Sequence, residues 1–546
     1  MKYALLPLAA LIAAPLSAQS TTSTNRISPA RLEADVKTLS SDAFQGRAPG
    51  TPGETKTVDW LIAQFKAMGL KPGARDGSWT QPVPLVHTRI GKGPISLGDM
   101  SVTQGEGIYL STVRPVDRAT IAAAPMVFVG YGVHAPERGW DDFKDVDLKG
   151  KVAVFLVNDP DFEATPDDDS VGKFGGKRMT YYGRWTYKFE EAARRGAIGA
   201  LIVHDTPGAG YGWATVAAPA GENYDIVRQP DDYRILLQGW IQGDTAAKLF
   251  AASGLDLAAQ RRAARRSNFR PVDLTSRFSA DLPVTHNTAQ SRNVLAILPG
   301  TTHPDETIMF GAHWDAYGIG APDAQGRTIR PGANDDALGA AGVLALARVF
   351  AKRPRTERSL VFALWSAEER GLLGSETYAV NPIYPVDKTV ANLTLDILQT
   401  AGPAKDVMLV GGGQDSLEDD LATAVKAQGR VVTPETLPER GLFYRADHFS
   451  LARRGVPTLL LMAISGAPDL VKGGRSAGQA WLDGYMKCYH QTCDMWDPSW
   501  DLRGAADDVG LYLTIGQRLA NSRSWPTWRG GSEFKAIREQ TAAARR

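Results

Sequence analysis

Two segments of the sequence carry its strongest structural signal: TIMFGAHWD at residues 307–315 and SLVFALWSAEERG at residues 359–371. Each is an apolar run that ends abruptly in polar side chains, and TVANLTLD at residues 389–396 repeats the pattern. Such near-continuous apolar strands are typical of parallel sheets that helices cover on both faces. Because ligands of these sheets lie beyond the carboxyl ends of the strands, the polar residues at those ends are candidates for function.

Strand and helix patterns alternate from about residue 291 onward. Besides the three runs above, strands are predicted at residues 293–298, 407–410 and 456–462, and helices at residues 337–350, 371–379, 417–427 and about 505–519. Two further helices are predicted near the N-terminus, one opening at Ser28-Pro29 and one over about residues 54–68. The alternation predicts an α/β fold with a mixed, largely parallel sheet sandwiched between helices.

The segment from about residue 100 to residue 280 has a different pattern of strands and helices. Short strands are predicted at residues 125–133, 151–158 and 197–204, with one helix at residues 185–197. The acidic stretch at residues 159–169 lacks the glycine and closing glutamate of a calcium loop, so it is expected to be a solvated loop. The basic run at residues 261–266 is expected to be a solvated helix face and not a nucleic-acid site.

The length and the net charge of the chain limit the number of domains and the classes of partner that can be expected. At ~150 residues per domain, 546 residues correspond to three or four domain-sized units. Lys and Arg number 61 against 60 Asp and Glu, which gives a net charge of +1. This balance gives no electrostatic reason to expect nucleic acid or an anionic membrane surface as a partner. The oligomeric state is left open.

The first 18 residues have the pattern of a signal peptide. Lys2 supplies the positive charge, residues 5–14 the apolar stretch, and Leu16-Ser17-Ala18 a cleavage site. The apolar run is too short to span ~30 Å of hydrocarbon, so no stable membrane insertion is expected. The sequence therefore predicts a periplasmic or secreted protein.

The two cysteines, Cys488 and Cys493, bracket a tyrosine and a histidine. In an exported protein a close pair favours a local disulfide, which would stiffen the turn carrying His490. The alternative, a pair of thiolate metal ligands, lacks the second Cys or His pair that a closed zinc site needs.

Several strand ends carry residues that could bind a metal. After the first strand, Asp315 lies two positions beyond His313, so its carboxylate could accept the ring N–H; a structural histidine would show the same pattern. The adjacent Glu368 and Glu369 could be a solvated helix start, or a metal ligand with a neighbouring general base. Asp335, within GANDDALG at residues 332–339, could equally be a helix N-cap.

Two more candidates complete the set: Asp396 follows an apolar strand, and His490 lies between the cysteines. Together the pattern indicates one site holding His313, Asp335, Glu369, Asp396 and His490. Imidazole and carboxylate suit zinc, and five such side chains serve two zinc ions if one carboxylate bridges them. Three carboxylates against two Zn²⁺ leave one positive charge, which a bridging hydroxide would neutralise. Glu368 would then carry the proton from water to the leaving amine.

These residues resemble the dizinc aminopeptidase family whose relatives include glutamate carboxypeptidase and the catalytically silent transferrin receptor. The motifs that carry the resemblance are residues 39–51, 311–315, 332–336 and 368–371, Asp396 and Tyr489-His490. The match covers about residues 27–95 and 285–525, and the segment between resembles an inserted, β-rich protease-associated domain. The resemblance implies a peptidase domain in two parts, residues 19–99 and 281–546, around an insert at residues 100–280.

The resemblance also implies roles for individual residues. Two zinc ions per chain would be held by the five ligands, with Asp335 bridging them. Glu368 matches the general base and Asp315 the residue that orients His313, while Tyr489 matches a tyrosine that helps hold the tetrahedral oxyanion. Three candidate substrate-binding residues lie in YRADH at residues 444–448, a segment that resembles the pocket-lining loop: Tyr444, Arg445 and Asp447.

The sequence thus predicts an exported two-zinc exopeptidase acting on peptides, with an aminopeptidase favoured. Zinc-bound hydroxide would attack the scissile carbonyl, and the free amine would lie against Glu368 and Asp396. A carboxypeptidase of the glutamate carboxypeptidase type is the alternative within the enzyme class, and it requires a basic cluster to which Arg445 could contribute. A non-catalytic binding protein like the transferrin receptor is disfavoured, since every predicted zinc ligand is present.

Overall fold

The computed structural model describes residues 26–229 and 232–545. The predicted signal peptide at residues 1–18 lies outside the described residues. Among the helices that are described, none combines the length and the apolar character needed to cross a bilayer.

The helices within the described residues are numbered in chain order. They are α1 Pro29–Leu39, α2 Pro52–Ala67, α3 Trp185–Arg194, α4 Thr206–Ala209, α5 Trp213–Ala217, α6 Gly243–Ala252, α7 Leu257–Ala263, α8 Leu338–Ala351, α9 Leu373–Val380, α10 Leu417–Ala427, α11 His448–Ala452, α12 Gly474–Met486, α13 Arg503–Ala520 and α14 Lys535–Gln540.

The strands are numbered in the same way. They are β1 Lys71–Pro72, β2 Thr80–Ile90, β3 Ile95–Leu97, β4 Met100–Ser101, β5 Ile108–Ser111, β6 Arg118–Phe128, β7 His134–Ala135, β8 Trp140–Asp141, β9 Val152–Leu156, β10 Gly199–His204, β11 Glu222–Ile226, β12 Leu237–Gln242, β13 Val272–Leu298, β14 His303–His313, β15 Gly318–Ile319, β16 Ile329–Arg330, β17 Arg358–Trp365, β18 Thr389–Leu395, β19 Asp406–Leu409, β20 Val431–Pro434 and β21 Thr458–Leu461.

The central sheet confirms the predicted fold class. Strands β21, β18, β14 and β17 lie side by side and parallel, and β13 joins β17 antiparallel. Alternate residues of β14 enter different cores: Ile308 and Phe310 pack into the core that contains residues of α1, α2, α8 and α13, whereas Met309 packs into another with Tyr378 of α9. Helices therefore cover both faces, as the continuous apolar runs require.

Strand β13 connects this sheet to the sheet of the predicted insert. Residues 284–294 pair antiparallel with β2, and the earlier part of β13 pairs antiparallel with β6. From β6 the second sheet continues through the parallel strands β9, β10 and β12 to the antiparallel β5. The predicted boundary between residues 280 and 281 thus falls inside one continuous strand.

Two strand predictions need correction. The strand at residues 407–410 forms as β19, but it pairs with β20 in a separate small sheet and not with the central one. The strand predicted at residues 125–133 ends at Phe128, because Gly130 and Gly132 adopt positive φ angles of 60° and 62° that turn the chain.

The acidic and basic runs are also less solvated than predicted. Asp159, Asp161 and Asp168 are buried. Arg265 is buried too, and its Nε lies 2.9 Å from the Asp168 carboxylate. Asp168 is thus neutralised by the basic run, whereas Asp159 accepts hydrogen bonds from Thr180 and Asp161 accepts them from the backbone N–H groups of Phe174 and Gly176.

Candidate active site

The strand ends place the predicted ligands together. His313 is the last residue of β14, Asp396 follows β18 directly, and Glu369 lies four residues beyond β17. Asp335 lies in the turn that precedes α8, and His490 follows α12. Potential ligand atoms fall into two groups, each within 4.8 Å: His313 with Glu368 and Asp396, and Asp335 with Glu369 and His490.

Asp335, a member of the second group, also contacts His313 of the first group. Its Oδ1 is 3.1 Å from His313 Nε2, and its Oδ2 is 3.1 Å from His490 Nε2. His490 Nε2 is also 3.3 Å from the Glu369 carboxylate. One carboxylate that faces a histidine on each side has the placement that a bridging ligand needs, and this supports the bridging role predicted for Asp335.

The site concentrates buried negative charge. Burial raises the pKa of Asp396 to about 8, and the Asp335 charge adds to the rise. Burial also raises the pKa of Glu368 and of Glu369 well above the usual range. Burial alone would lower the pKa of His313, but Glu368 and the neighbouring aspartates raise it. So many carboxylates removed from water require compensating cations.

The donor set fits zinc. It combines imidazole nitrogens with carboxylate oxygens, the ligand types of two-zinc centres. Asp396 Oδ1 is buried without a hydrogen-bond partner among the described residues, as expected for an atom that binds a metal. The predicted five ligands would hold the ions, and Glu368 lies in the same cluster.

Asp315 contacts both His313 and the general base candidate. Its backbone carbonyl oxygen lies 3.1 Å from His313 Nδ1, whereas its carboxylate is 3.7 Å from that nitrogen. The same carboxylate accepts the Glu368 backbone N–H at 3.0 Å. Asp315 therefore fixes the His313 ring mainly through its main chain and positions the Glu368 segment through its side chain.

Two residues that support the ligands were not predicted from the sequence. Asp494 accepts the backbone N–H groups of Asn334 and Asp335 at 3.0 and 3.1 Å, which holds the turn that carries Asp335. The Tyr317 hydroxyl lies 3.1 Å from His490 Nδ1 and so orients the ring with Nε2 toward Asp335. Each follows a predicted site residue by one to four positions, which was the only signal available in the sequence.

Arg47, part of the early motif at residues 39–51, ties the ligand segments together. It is fully buried, and its Nε donates to the Trp314 carbonyl at 2.7 Å. Its terminal nitrogens donate to the carbonyls of Pro331 at 2.6 Å and Gly332 at 2.8 Å. One guanidinium therefore bridges the segment after His313 and the segment before Asp335.

The cysteine turn has the predicted pairing. Cys488 and Cys493 form a disulfide with their Cα atoms 5.1 Å apart. Between them the Tyr489 ring packs on the His490 ring, with a centroid distance of 3.6 Å. The turn therefore delivers a predicted ligand and the predicted oxyanion-binding tyrosine to the site as one unit.

A cleft of about 760 Å³ opens over the site. Residues of the central fold line it, among them Glu368, Tyr489, Tyr444 and Arg445, and so do residues of the insert such as Arg184. Tyr444 is otherwise buried and donates its hydroxyl hydrogen to Glu533 at 3.0 Å.

Asp447, the third predicted substrate-binding residue, is buried and is not among the residues that line the cleft. Burial raises its pKa to about 7. Its charge raises the pKa of both Glu368 and Asp396, so it lies close to them. Its influence on a substrate would be electrostatic, through the acidic cluster.

A Gly-x-Ser-x-Gly pattern, found at the nucleophile elbow of serine hydrolases, occurs at residues 474–478. An elbow needs a strand directly before the serine. Here turn residues 471–473 precede it, the pattern opens α12, and Ser476 is exposed. This pattern is therefore not a nucleophile elbow.

The segment that contains the site matches a protein-family model. The model of peptidase family M28 matches residues 293–514. The chain is 26% identical over 527 residues to the probable lipoprotein aminopeptidase LpqL of Mycobacterium tuberculosis, covering 89% of this chain and 85% of that protein. It is 28% identical over 240 residues to aminopeptidase Y of Saccharomyces cerevisiae, covering 42% and 39% of the two chains.

Among solved structures, the aminopeptidase from Aneurinibacillus sp. strain AM-1 aligns with a TM-score of 0.49 and 21% identity, covering 91% of this chain and 95% of that one. The matched family segment contains His313, Asp335, Glu369, Asp396 and His490. The predicted family resemblance is confirmed: residues 293–514 of this chain match the model of peptidase family M28.

Proposed function

We propose that this chain is an exported, zinc-dependent aminopeptidase that removes N-terminal residues from peptides. Relatives named as aminopeptidases and the family match support the activity. The observation that carries the proposal is the pair of ligand groups that Asp335 joins, one of which also contains Glu368. Two zinc ions held there would polarise the scissile carbonyl and lower the pKa of a water molecule.

Glu368 is proposed as the general base. Burial raises its pKa well above the usual range, and the Asp396 charge adds to this although His313 opposes it. A carboxylate tuned in this way can accept a proton from water and release it to the leaving amine. The Asp315 carboxylate accepts the Glu368 backbone N–H and so positions the main chain from which the Glu368 side chain extends.

The charge distribution favours a free amine as the group that is recognised. Glu368 and Asp447 add carboxylates beyond those of the predicted ligands: Glu368 lies within 4.8 Å of Asp396, and the Asp447 charge raises the pKa of both. A protonated α-amine would be stabilised against this cluster, whereas a C-terminal carboxylate would be repelled. Tyr489 is placed beside His490, from where its hydroxyl would donate a hydrogen bond to the developing oxyanion.

The insert, proposed as a protease-associated domain over about residues 100–280, would form one wall of this cleft. Its residues Arg184 and Tyr224 line the cleft together with residues of the ligand-bearing turns. The wall would limit which peptides reach Glu368. Export through residues 1–18 to the periplasm or medium is part of the proposal, and N-terminal sequencing of the exported protein tests it.

Product analysis by mass spectrometry tests the activity. Zinc-loaded protein is given one peptide in free and N-acetylated forms. We expect successive loss of N-terminal residues from the free form alone. Replacing Glu368→Gln should lower kcat by about 10²–10⁴-fold, whereas Glu106→Gln, on an exposed loop of the insert, should leave kcat unchanged.

Two results would contradict the proposal. Loss of C-terminal residues from both forms would establish the carboxypeptidase alternative, for which arginines in the cleft are the supporting observation. Equal kcat values for the Glu368→Gln and Glu106→Gln variants would remove Glu368 from the mechanism.

A further inference from the structure

Strand β11 is an edge strand that borders the cleft. Among the described strands it pairs only with β2. Four consecutive residues of β11 line the cleft, namely Glu222, Asn223, Tyr224 and Asp225. Because successive side chains of a strand point to opposite faces of the sheet, one cleft can touch all four only by running along the unpaired edge of the strand.

The pairing with β2 fixes which main-chain groups face that edge. Gly221 and Val227, which flank β11, make hydrogen bonds of 3.1 and 3.0 Å with the main chain of β2. In an antiparallel pair the residues that bond to the neighbouring strand alternate with residues that do not. The main-chain N–H and C=O groups of Glu222, Tyr224 and Ile226 therefore point away from β2.

These outward groups are unoccupied or occupied only by a neighbouring side chain. Within the described part of the chain, the carbonyls of Glu222 and Tyr224 accept no hydrogen bond. The Tyr224 N–H donates to the side-chain oxygen of Asn223 at 2.9 Å, a local bond of the kind that protects the edge of a sheet. A peptide main chain beside β11 could replace this bond and donate to both carbonyls.

The charged side chains of β11 already have partners within the protein. The Glu222 carboxylate lies 2.7 Å from His87 and 3.5 Å from Arg89, and Asp225 lies 2.7 Å from Arg228. What this edge offers to a ligand is therefore mainly its main chain. Main-chain hydrogen bonds do not depend on the side chains of the bound peptide, so recognition along β11 would tolerate many sequences.

The edge is fixed next to the segment that carries the proposed general base. Ile226 packs in one hydrophobic cluster with Ala367, the residue before Glu368. The guanidinium carbon of Arg370, two residues after Glu368, lies 4.9 Å from the centre of the Tyr224 ring. A peptide cleaved at Glu368 would reach β11 after a few residues of extended chain, since each residue spans about 3.3 Å.

We infer that β11 binds the main chain of a peptide substrate as an added strand, on the leaving-group side of the scissile bond. The inference rests on the proposed aminopeptidase function and specifies its substrate class as extended peptides longer than a dipeptide. The substrate is the occupant because this edge and Glu368 line the same cleft. The added strand would give affinity through main-chain hydrogen bonds and leave the side chains of the peptide largely unconstrained.

Binding to an inactive enzyme tests the added strand directly. Full-length, zinc-loaded Glu368→Gln protein is titrated calorimetrically with Leu-Ala-amide, with Leu-Ala-Ala-Ala-Ala-Ala-amide, and with forms of the longer peptide that carry one N-methyl group at the third, fourth, fifth or sixth residue. We expect the longer peptide to bind about 10–100-fold more tightly than Leu-Ala-amide, because several main-chain hydrogen bonds add to affinity. N-methylation should weaken binding about tenfold at alternate residues only, since successive N–H groups of a strand point to opposite sides.

Two substitutions at one position separate the main chain of β11 from its side chains. Tyr224→Pro removes the outward N–H and leaves the hydrogen bonds to β2 intact, whereas the matched control Tyr224→Ala removes only the ring. Added to Glu368→Gln, the proline should reduce the preference for the longer peptide to less than about threefold. The alanine should retain that preference.

Three results would overturn the inference: equal affinities for the short and the long peptide, an effect of N-methylation that does not alternate, or the same preference in both Tyr224 variants. The N-methylated series needs no change in β11, so it decides the question if the proline variant fails to fold. Hydrolysis of Leu-Ala-amide by the unaltered protein reports on the aminopeptidase proposal separately, because this substrate is too short to pair along β11.

Discussion

The two ends of the cleft are built in different ways. At the acidic end, residues that follow neighbouring parallel strands converge, and Asp335 lies 3.1 Å from a histidine on either side. At the arginine end, Arg184 of the predicted insert and Arg445 of the loop before α11 both line the cleft. The first end is assembled by the topology of one sheet, and the second by the docking of two regions far apart in the chain.

Removing the metal should disable the acidic end completely. Chelation should reduce activity to background, and adding zinc should restore it. The free energy of unfolding should also fall by about 3 kcal/mol or more, since ligand at 100 times its Kd stabilises by about that amount. Activity assays, urea unfolding and metal analysis measure these effects.

The expected metal content is two zinc ions per chain. A content of one ion per chain in fully active protein would contradict the bridging role proposed for Asp335. Full activity in metal-free protein would contradict the metal centre as a whole.

A smaller effect is expected from loosening the segments that carry the ligands. Arg47→Lys keeps the charge but loses the planar fork that donates to the carbonyls of Trp314, Pro331 and Gly332. We expect the free energy of unfolding to fall by about 2–4 kcal/mol and zinc affinity to fall about 10–100-fold. Urea unfolding and zinc titration measure the two quantities.

The matched control is Arg31→Lys. The Arg31 side chain is 49% exposed and pairs with Asp35 at 3.4 Å, so its replacement should cost less than about 1 kcal/mol. Equal zinc affinities in the two variants would show that Arg47 does not position the ligands.

The smallest expected effect is on the free energy of unfolding, and it depends on pH. His448 opens α11, three residues after Arg445, and burial lowers its pKa to about 3 from an ordinary value of 6.5. Folded protein keeps it neutral, whereas the unfolded chain binds a proton below pH 6.5. Its contribution to stability is therefore present above pH 6.5 and is lost as the pH falls toward 3, by about 2 kcal/mol at pH 5.

Urea unfolding of zinc-free protein at pH 7 and pH 5 measures this loss. His448→Leu should reduce the difference between the two pH values by about 2 kcal/mol. His134→Leu, with its side chain 47% exposed, should leave the difference unchanged. The same difference in both variants would exclude His448 as its source.

The comparison also explains which features could be predicted from the sequence. His313, Glu369 and Asp396 follow apolar strands, so their convergence was visible once a parallel sheet was predicted. Arg184 carried no such signal, because its position in the cleft with Arg445 depends on how the predicted insert packs against the central fold. Asp494 and Tyr317 were missed because a supporting residue has no pattern of its own.

The strands, too, could be predicted only where the sequence has a clear apolar pattern. The apolar strands β14, β17 and β18 were predicted to within a few residues. Strand β2 was not predicted, because it contains Pro82 and Pro84, a residue type depleted in strands. The length of β13 was also missed, since polar residues such as His286 and Asn287 interrupt its apolar pattern.

Strand β13 has a mechanical consequence for the cleft. Its first part belongs to the sheet of the insert and its last part to the central sheet. A flexible linker would let the two regions swing apart, but rotation about this strand would break the ladder hydrogen bonds that it makes with β2 and β6. The wall that carries Arg184 is thus held by hydrogen bonds in both sheets. This restrains changes in the width of the cleft from one turnover to the next.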